Sequence, residues 1–352
     1  MSIDIVQLLA QIVEQKASDL HLCVGSAPMM RIHGVLVPLS ETILDGETCR
    51  DLIYSILTEN QRARFEETWE LDFAVMIENL GRFRANAHYS RSCVEATFRY
   101  IPDAVPSIDT LGLPAVIKRF CNLEQGLVLV TGITGSGKTT TLASMVQEIN
   151  HSRTGVIVSI EDPIEYIFAH NLCRVKQREI GTDTKSFPAA LRHVLRQDPD
   201  VILISEMRDL ETIAAAITAA ETGHLVLATL HTIDAPKAID RIVDAFPPDQ
   251  QGQIIAQLAN ALQAIVAQRL LPRADGKGRV ACTEVLVMND GVRSCLRDRR
   301  FQQLLSMIEI GGKDGMMTFD ESLADLLARK VITRDEAILN ARDAARVLGK
   351  KR

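Results

Sequence analysis

The chain has 352 residues, about enough for two domains, and with 47% hydrophobic and 24% charged residues it can bury a sizeable core. Its net charge of −6 argues against broad electrostatic binding of nucleic acid or anionic membrane. Seven scattered cysteines without a C-x-x-C pair, no signal-peptide pattern and only short apolar runs favour a cytoplasmic protein with reduced thiols and no direct membrane insertion.

The first hundred residues predict a small α+β domain, placed at residues 1–101. Apolar residues at helical spacing predict an amphipathic helix over residues 3–16, and a second helical stretch runs from about 46 to 67. Short alternating segments bounded by turn residues are typical of antiparallel strands. Such strands are predicted at residues 19–24, 29–33, 73–77, 82–89 and 94–100.

A different pattern follows a proline- and glycine-containing linker at residues 102–114. Buried-type apolar runs alternate with helical stretches in the second domain, residues 115–352, which predicts an α/β fold with a parallel sheet covered by helices. The chain from about residue 293 onward is predicted to be mostly helical. The predicted strands of this domain are residues 127–131, 156–160, 201–205 and 225–230.

A complete phosphate-binding loop, G-x-x-x-x-G-K-[ST], follows the first of these strands and opens a predicted helix from Thr140 to Asn150. Its glycines let successive backbone N–H groups face phosphate oxygens. Lys138 is predicted to reach the β- and γ-phosphates of a nucleoside triphosphate, and the Thr139 hydroxyl to hold Mg²⁺. The loop consists of Gly132, Ile133, Thr134, Gly135, Ser136, Gly137, Lys138 and Thr139.

Acidic residues follow two other predicted strands. Glu161 and Glu165 come after the strand at 156–160, and Glu206 ends the strand at 201–205 as a Walker-B acid does. Open parallel sheets bind ligands at the carboxyl ends of their strands, where hydrolysis needs acids near Mg²⁺ and water. The acids therefore predict a hydrolase.

Two histidines flank the strand at 225–230. His231 leaves the sheet on the same edge as Glu206 and is a candidate sensor of the γ-phosphate, whereas His224 lies at the opposite end of the strand. In the first domain, Arg84 and Arg99 lie on arginine-bearing strands. They are either solvated residues of the sheet face or arginine fingers that stabilise charge on the γ-phosphate, and both interpretations stay open.

Three further segments resemble motifs of the secretion-superfamily ATPases. Residues 160–166 resemble the Asp box, residues 205–212 the atypical Walker B and residues 220–232 the His box. Together with the phosphate loop, and in this order, they resemble the type IV pilus retraction ATPases, the PilT family, including its PilU-like relatives. The similarity runs from about residue 17 to the last helices.

The resemblance implies a cytoplasmic homohexamer whose subunits combine a PAS-like N-terminal domain with a RecA-like P-loop ATPase domain. It implies ATP and Mg²⁺ as ligands, and an inner-membrane pilus platform protein that ATP hydrolysis turns. Glu165 becomes the first choice for the general base with Glu161 supporting it, and Glu206 acts on Mg²⁺ or its water. The other residues implied at the site are Arg84, Arg99, His224, His231 and Thr140.

The sequence departs from the family pattern at two single positions and in one segment. Ile133 stands where proline is usual, and Ser205 where glycine is usual. Residues 291–297 keep only part of the A-I-R-N-L-I-R helix found in retraction motors. This leaves open an accessory PilU-like ring that depends on a paralogous pilus ATPase. A RecA-like nucleic-acid motor is disfavoured by the acidic charge and the His box, so no nucleic-acid partner is expected.

Overall fold

The computed structural model describes residues 4–32, 34–101 and 104–349, which form two compact units. The described residues up to Ala104 form the first unit together with Pro163–Ile167. Val105–Asp162 and the described residues from Phe168 onward form the second unit.

The described residues of the first unit form three helices and a six-stranded sheet in which each neighbouring pair of strands is antiparallel. The strand order is β3-β2-β1-β6-β5-β4. The helices are α1 (Ile5–Glu14), α2 (Gly46–Tyr54) and α3 (Glu59–Thr68). The strands are β1 (Asp19–Leu22), β2 (Met29–Ile32), β3 (Val35–Pro38), β4 (Glu70–Ile77), β5 (Gly81–Ser90) and β6 (Cys93–Ile101).

The sheet of the first unit has one face in the core and one face that carries arginines. Along β5, buried and half-buried residues alternate, so that Phe83 and Ala85 lie in the core while Arg84 lies on the other face. Arg84 and Arg99 are directly opposite each other on β5 and β6. The two candidate phosphate-contacting arginines therefore share a face.

The helix predicted over residues 46–67 is two helices. Thr58 begins α3 with a capping box, since its side chain accepts from Gln61 N–H and the Gln61 side chain accepts from Thr58 N–H. These reciprocal bonds satisfy N–H groups that a new helix leaves without partners. The pattern T-x-x-Q in the sequence marks this start. Strand β3 was also not predicted.

The second unit contains eleven α-helices among the described residues, two short 3₁₀ helices (Phe301–Gln303 and Gly312–Asp314) and a seven-stranded sheet. The strands are β7 (Gly126–Thr131), β8 (Gly155–Glu161), β9 (Cys173–Glu179), β10 (Val201–Ile204), β11 (Leu225–Leu230), β12 (Leu262–Pro272) and β13 (Arg279–Val287). The helices are α4 (Val116–Cys121), α5 (Lys138–Ser152), α6 (Phe187–Val194), α7 (Leu210–Glu221), α8 (Ala235–Asp244), α9 (Gln251–Ala261), α10 (Asp290–Arg297), α11 (Leu304–Ile310), α12 (Phe319–Ala328), α13 (Arg334–Asn340) and α14 (Ala344–Val347).

The sheet of the second unit is parallel except for β13, and its strand order is β13-β12-β7-β11-β10-β8-β9. Every residue of β7, β10 and β11 is buried, as expected for parallel strands covered on both faces. The prediction of a mixed α/β fold with a parallel sheet is confirmed. The four predicted strands of this domain are present, and strands β9, β12 and β13 were not predicted from the sequence.

A charge network around the buried side chains of Glu284 and Asp320 anchors the C-terminal segment of the second unit. Arg342 pairs with Glu284 of β13 at 2.6 Å and with Asp234, the N-cap of α8, at 3.3 Å. Asp320 accepts hydrogen bonds from the backbone N–H groups of Arg342 and Asp343. Because Glu284 is fully buried, burial raises its pKa by more than the Arg342 charge and its hydrogen bonds lower it.

Candidate functional site

The phosphate loop joins β7 to α5, as the motif requires. Gly137 caps α5 with a φ of +89°, and a Cβ atom built there would lie 2.7 Å from the Gln268 amide nitrogen. Only glycine fits this position without strain. The loop therefore ends at a helix N-terminus, whose free N–H groups and dipole favour an anion.

Lys138 lies within the loop and is buried. Its ammonium group donates to the carbonyl oxygens of Gly132 at 2.9 Å and Ile133 at 3.0 Å. Burying a positive charge is costly unless hydrogen bonds or an anion compensate it. The position suits a bound phosphate. Of the other loop residues, Ile133, Thr134 and Gly135 are exposed, whereas Thr139 and Thr140 are half-buried in the first turn of α5.

Three buried hydroxyl groups near the loop lack a hydrogen-bond partner among the described residues. They are the side chains of Thr131 at the end of β7, Ser136 in the loop and Thr232 directly after His231. A buried polar group without a partner costs about 1–3 kcal/mol. Phosphate oxygens or their bound water would supply acceptors, so these orphaned donors fit a nucleotide site.

Glu206 follows β10 and contacts Arg208 and His231 in a compact cluster. Arg208 approaches both carboxylate oxygens, at 2.7 and 2.8 Å, and His231 Nε2 lies 3.3 Å from Oε1. Burial alone would raise the pKa of Glu206, but the hydrogen bond from Arg208 and the charges of His231, Arg208 and Lys138 together lower it. The carboxyl is therefore ionised at neutral pH. His231 lies beside Glu206 at the sheet edge where the sequence placed both residues, and its role as a γ-phosphate sensor stays a prediction.

Glu161 ends β8, the strand next to β10. Ile160 lies opposite Ile204 in the parallel register, so Glu161 and Glu206 leave neighbouring strands at the same edge. The Glu161 carboxylate is buried and accepts from the Ser159 hydroxyl at 2.6 Å and from Gln177 at 3.1 Å. Two predicted acids thus lie at the carboxyl edge of the sheet of the second unit.

The remaining predicted acid belongs to the first unit. Glu165 lies in the segment Pro163–Ile167, and its carboxylate accepts from Arg84 at 3.2 Å. Arg99 Nε donates to the buried carboxylate of Asp19 at 2.8 Å. Both predicted arginines are therefore held by carboxylates of their own unit.

His224 is separate from the Glu206 cluster. It precedes β11, and its ring Nδ1 lies 3.0 Å from the carbonyl oxygen of Ala219 at the end of α7. A strand of six residues, ~20 Å long, separates it from His231. The catalytic role predicted for His224 stays a prediction.

Two residues that contact the site were missed in the sequence. Arg208 lies two positions after Glu206 and pairs with it. Gln268 of β12 is 3% exposed and hydrogen-bonds the phosphate loop. A signal for Gln268 exists, since it directly follows the apolar run from Ala264 to Ala267 in the sequence, and buried polar residues need partners.

The chain matches known proteins over nearly its whole length. The family described as "Type II/IV secretion system protein" matches residues 1–318. From Pseudomonas aeruginosa, the type IV pilus retractation ATPase PilT is 44% identical over 98% of both chains, and the type IV pilus ATPase PilU is 42% identical over 96% of this chain and 88% of its own. A crystal structure titled as the pilus retraction motor PilT with bound ADP has a TM-score of 0.89 at 43% identity, covering 97% of this chain and 98% of that one.

These matches confirm the resemblance predicted from the phosphate loop, the Asp box, the Walker B and the His box. They extend beyond the motifs, since both relatives align over at least 88% of their length. The chain belongs to the family of type II/IV secretion system proteins.

Proposed function

We propose that the chain is an ATP-hydrolysing motor that powers retraction of type IV pili. The observation that carries the proposal is the carboxyl edge of the second unit's sheet, where the phosphate loop, His231 and Glu206 follow three neighbouring strands, β7, β11 and β10. Two relatives that align over nearly the full chain are named as pilus ATPases. Their names and this arrangement support the same activity here.

The residues from Gly132 to Thr140 would bind the phosphates of ATP. Backbone N–H groups at the N-terminus of α5 and the Lys138 ammonium supply the positive potential. The unpartnered hydroxyl of Ser136 adds a donor inside the loop. These groups bind and orient the phosphate chain before hydrolysis.

Thr139 and Glu206 would hold Mg²⁺, the glutamate partly through water. Three hydrogen bonds or ion contacts from Arg208 and His231 reach Glu206. A carboxylate accepts about four hydrogen bonds, so one position stays available to a metal-bound water. When bound, Mg²⁺ neutralises charge that develops on the phosphate oxygens.

For hydrolysis we assign the general base to Glu165, with Glu161 in support. A carboxylate can orient the attacking water and accept its proton. His231 senses the γ-phosphate through its contact with Glu206, and Arg84 and Arg99 stabilise the charge of the transition state. His224 would act as part of the His box.

The finer architecture is part of the proposal. The domains are a PAS-like domain at residues 1–101, a linker at 102–114, of which 102 and 103 lie outside the described residues, and a RecA-like ATPase domain at 115–352. The chain would work as a cytoplasmic homohexamer. It would reach the inner membrane through a pilus platform protein, and no helix within the described ranges is long and apolar enough to cross a bilayer.

Phosphate release by the purified chain tests the enzymatic part. We expect Mg²⁺-dependent ATP hydrolysis that Lys138→Ala lowers at least about 10²-fold. Lys118→Ala, a change at a half-buried lysine of α4 that pairs with Asp109, is a control at wild-type rate. Undiminished hydrolysis by Lys138→Ala would refute the assignment. Lack of stimulation by DNA or RNA would exclude a nucleic-acid motor.

An accessory role is the second candidate, favoured by the 42% identity to PilU. A deletion strain that contains a paralogous pilus ATPase separates the two. A retraction motor predicts that pili no longer retract in this strain. Normal retraction would instead assign the chain to an accessory ring that depends on the paralogue.

A further inference from the structure

One buried residue of β12, Gln268, contacts both ends of the phosphate loop, the first end through its backbone and the second through its side chain. Strand β12 lies parallel to β7 with Ala267 opposite Thr131, so Gln268 comes next to Gly132, the first residue of the loop. A Cβ atom built on Gly132 would collide with the Gln268 carbonyl oxygen, and one built on Gly137 would lie 2.7 Å from its side-chain nitrogen. Gln268 therefore contacts the loop where it begins and where it ends.

Both polar atoms of the Gln268 amide are used. Its nitrogen donates to the carbonyl oxygen of Ser136 at 2.7 Å, and its oxygen accepts from the Thr141 hydroxyl at 2.7 Å. A carbonyl oxygen can only accept, so the NH₂ group has to face Ser136, and the Thr141 hydroxyl has to be the donor. Both Gln268 and Thr141 are buried, which makes each bond costly to leave unmade.

The bond to Ser136 determines the orientation of one peptide group in the loop. In a planar trans peptide the C=O and the following N–H point in opposite directions. Holding the Ser136 carbonyl toward β12 turns the Gly137 N–H away from β12. Gly137 is the cap of α5, so this N–H is one of the donors that a helix N-terminus offers to an anion.

We propose that Gln268 is a positioning residue of the nucleotide site, whose amide orients the peptide between Ser136 and Gly137 so that the Gly137 N–H faces the phosphates of the bound nucleotide. The inference rests on the proposed nucleotide binding of the loop. It adds a specific consequence, namely that the affinity for phosphates depends on a hydrogen-bond donor at position 268. Thr141 holds the amide in the orientation that presents this donor.

The test is the dissociation constant of a fluorescent ADP analogue, measured on the full-length chain. Gln268→Met keeps the length of the side chain but has no donor, and we expect about tenfold weaker binding of ADP and of ATP. Because ground state and transition state share this phosphate contact, KM should rise while kcat changes little. Gln263→Met, a half-buried change on the same strand, is the matched control.

Thr141 supplies a second pair of variants. Thr141→Val removes the hydroxyl at nearly constant volume and should weaken ADP binding, whereas Thr141→Ser keeps the hydroxyl and should restore it. In the double variant of Gln268→Met and Thr141→Val the losses should not add, because both changes disrupt the same contact. If the Thr141 hydroxyl only stabilised the fold, the serine and valine variants would not differ in KM alone.

The outcomes are separable. If the unaltered chain binds no nucleotide, the proposed function fails. If it binds ADP and Gln268→Met binds equally well, the inference about Gln268 is wrong. If Gln268→Met does not fold, the two variants of Thr141 decide. Equal affinities of the valine and serine variants for ADP overturn the inference. Weaker binding of ADP by the valine variant supports it.

Discussion

The Arg84 guanidinium lies 3.2 Å from the Glu165 carboxylate, which joins the residue proposed as general base to a residue proposed to contact phosphate. The side chains are 40% and 27% exposed, so the pair contributes about 1 kcal/mol or less to stability. Either residue can therefore be replaced without unfolding the chain. This makes the pair suitable for kinetic tests.

Glu165→Gln should lower kcat by about 10²-fold or more, because an amide keeps the contact with Arg84 but cannot accept a proton from water. The affinity for ADP should stay within about twofold of the unaltered value, since no phosphate contact is lost. Phosphate release and ADP binding measure the two quantities. Glu78→Gln, in the exposed turn between β4 and β5, is the control. If Glu161→Gln abolishes turnover while Glu165→Gln leaves it intact, the base is Glu161.

Arg84→Ala should reduce kcat about 10³-fold if its guanidinium stabilises the transition state, and Arg84→Lys should recover little, because an ammonium lacks the planar fork. The effect of Arg99→Ala on kcat is compared with that of Arg84→Ala, because both arginines lie on the same face of the sheet and are proposed to stabilise the transition state. Its partner Asp19 is buried and keeps Arg31 within 3.9 Å, so the fold should tolerate the change. If Arg84→Ala hydrolyses ATP at the normal rate, Arg84 is a solvated residue of the sheet face and not an arginine finger.

Arg342→Met should destabilise the chain by about 3–5 kcal/mol at neutral pH, because it leaves the buried Glu284 carboxylate without its cation. The loss of stability should be smaller at acidic pH, because Glu284 can take up a proton there and no longer needs a cation. Urea unfolding at several pH values measures both. Arg329→Met, on an exposed pair of α12, is the control and should cost less than about 1 kcal/mol. An equally small effect of Arg342→Met would show that the network is not stabilising.

Glu284 also predicts a pH dependence of the unaltered chain. Its pKa in the folded state is raised above the ordinary value of 4.5, so between the two values the folded state binds more protons than the unfolded state. The free energy of unfolding should therefore fall as pH rises through this window. Glu284→Gln should remove that slope, and Glu211→Gln at the surface should retain it. Identical slopes in all three proteins would contradict the assignment.

Local patterns made much of the fold and site predictable. The strands that carry the phosphate loop, the acids and His231 are short apolar runs, all of which are strands in the structure. Strand β12 was missed because it begins at Leu262, directly after the last residue of α9, and no turn residue marks the change. Strand β9 lies at the edge of the sheet, and its pattern is weak because apolar and charged residues alternate only in its first four residues while the last three are all polar.

Contacts over long sequence separations were not predictable in the same way. Gln268 meets Ser136 and Thr141 across 132 and 127 residues, and Arg342 meets Glu284 across 58. No local pattern encodes such a pairing, because it depends on which strands become neighbours in the sheet. The same reason explains why Arg84 and Glu165 could each be named as candidates while their pairing could not be predicted.

The segment Pro163–Ile167 belongs to the first unit although the residues on both sides of it belong to the second. Exchange of this unit between related proteins would thus require two separate stretches of gene. A chimaera that received only a foreign stretch up to residue 104 would keep the resident Glu165 beside a foreign counterpart of Arg84. Recombination at a single point would break up this pair, whereas paired substitutions in the two stretches would preserve it.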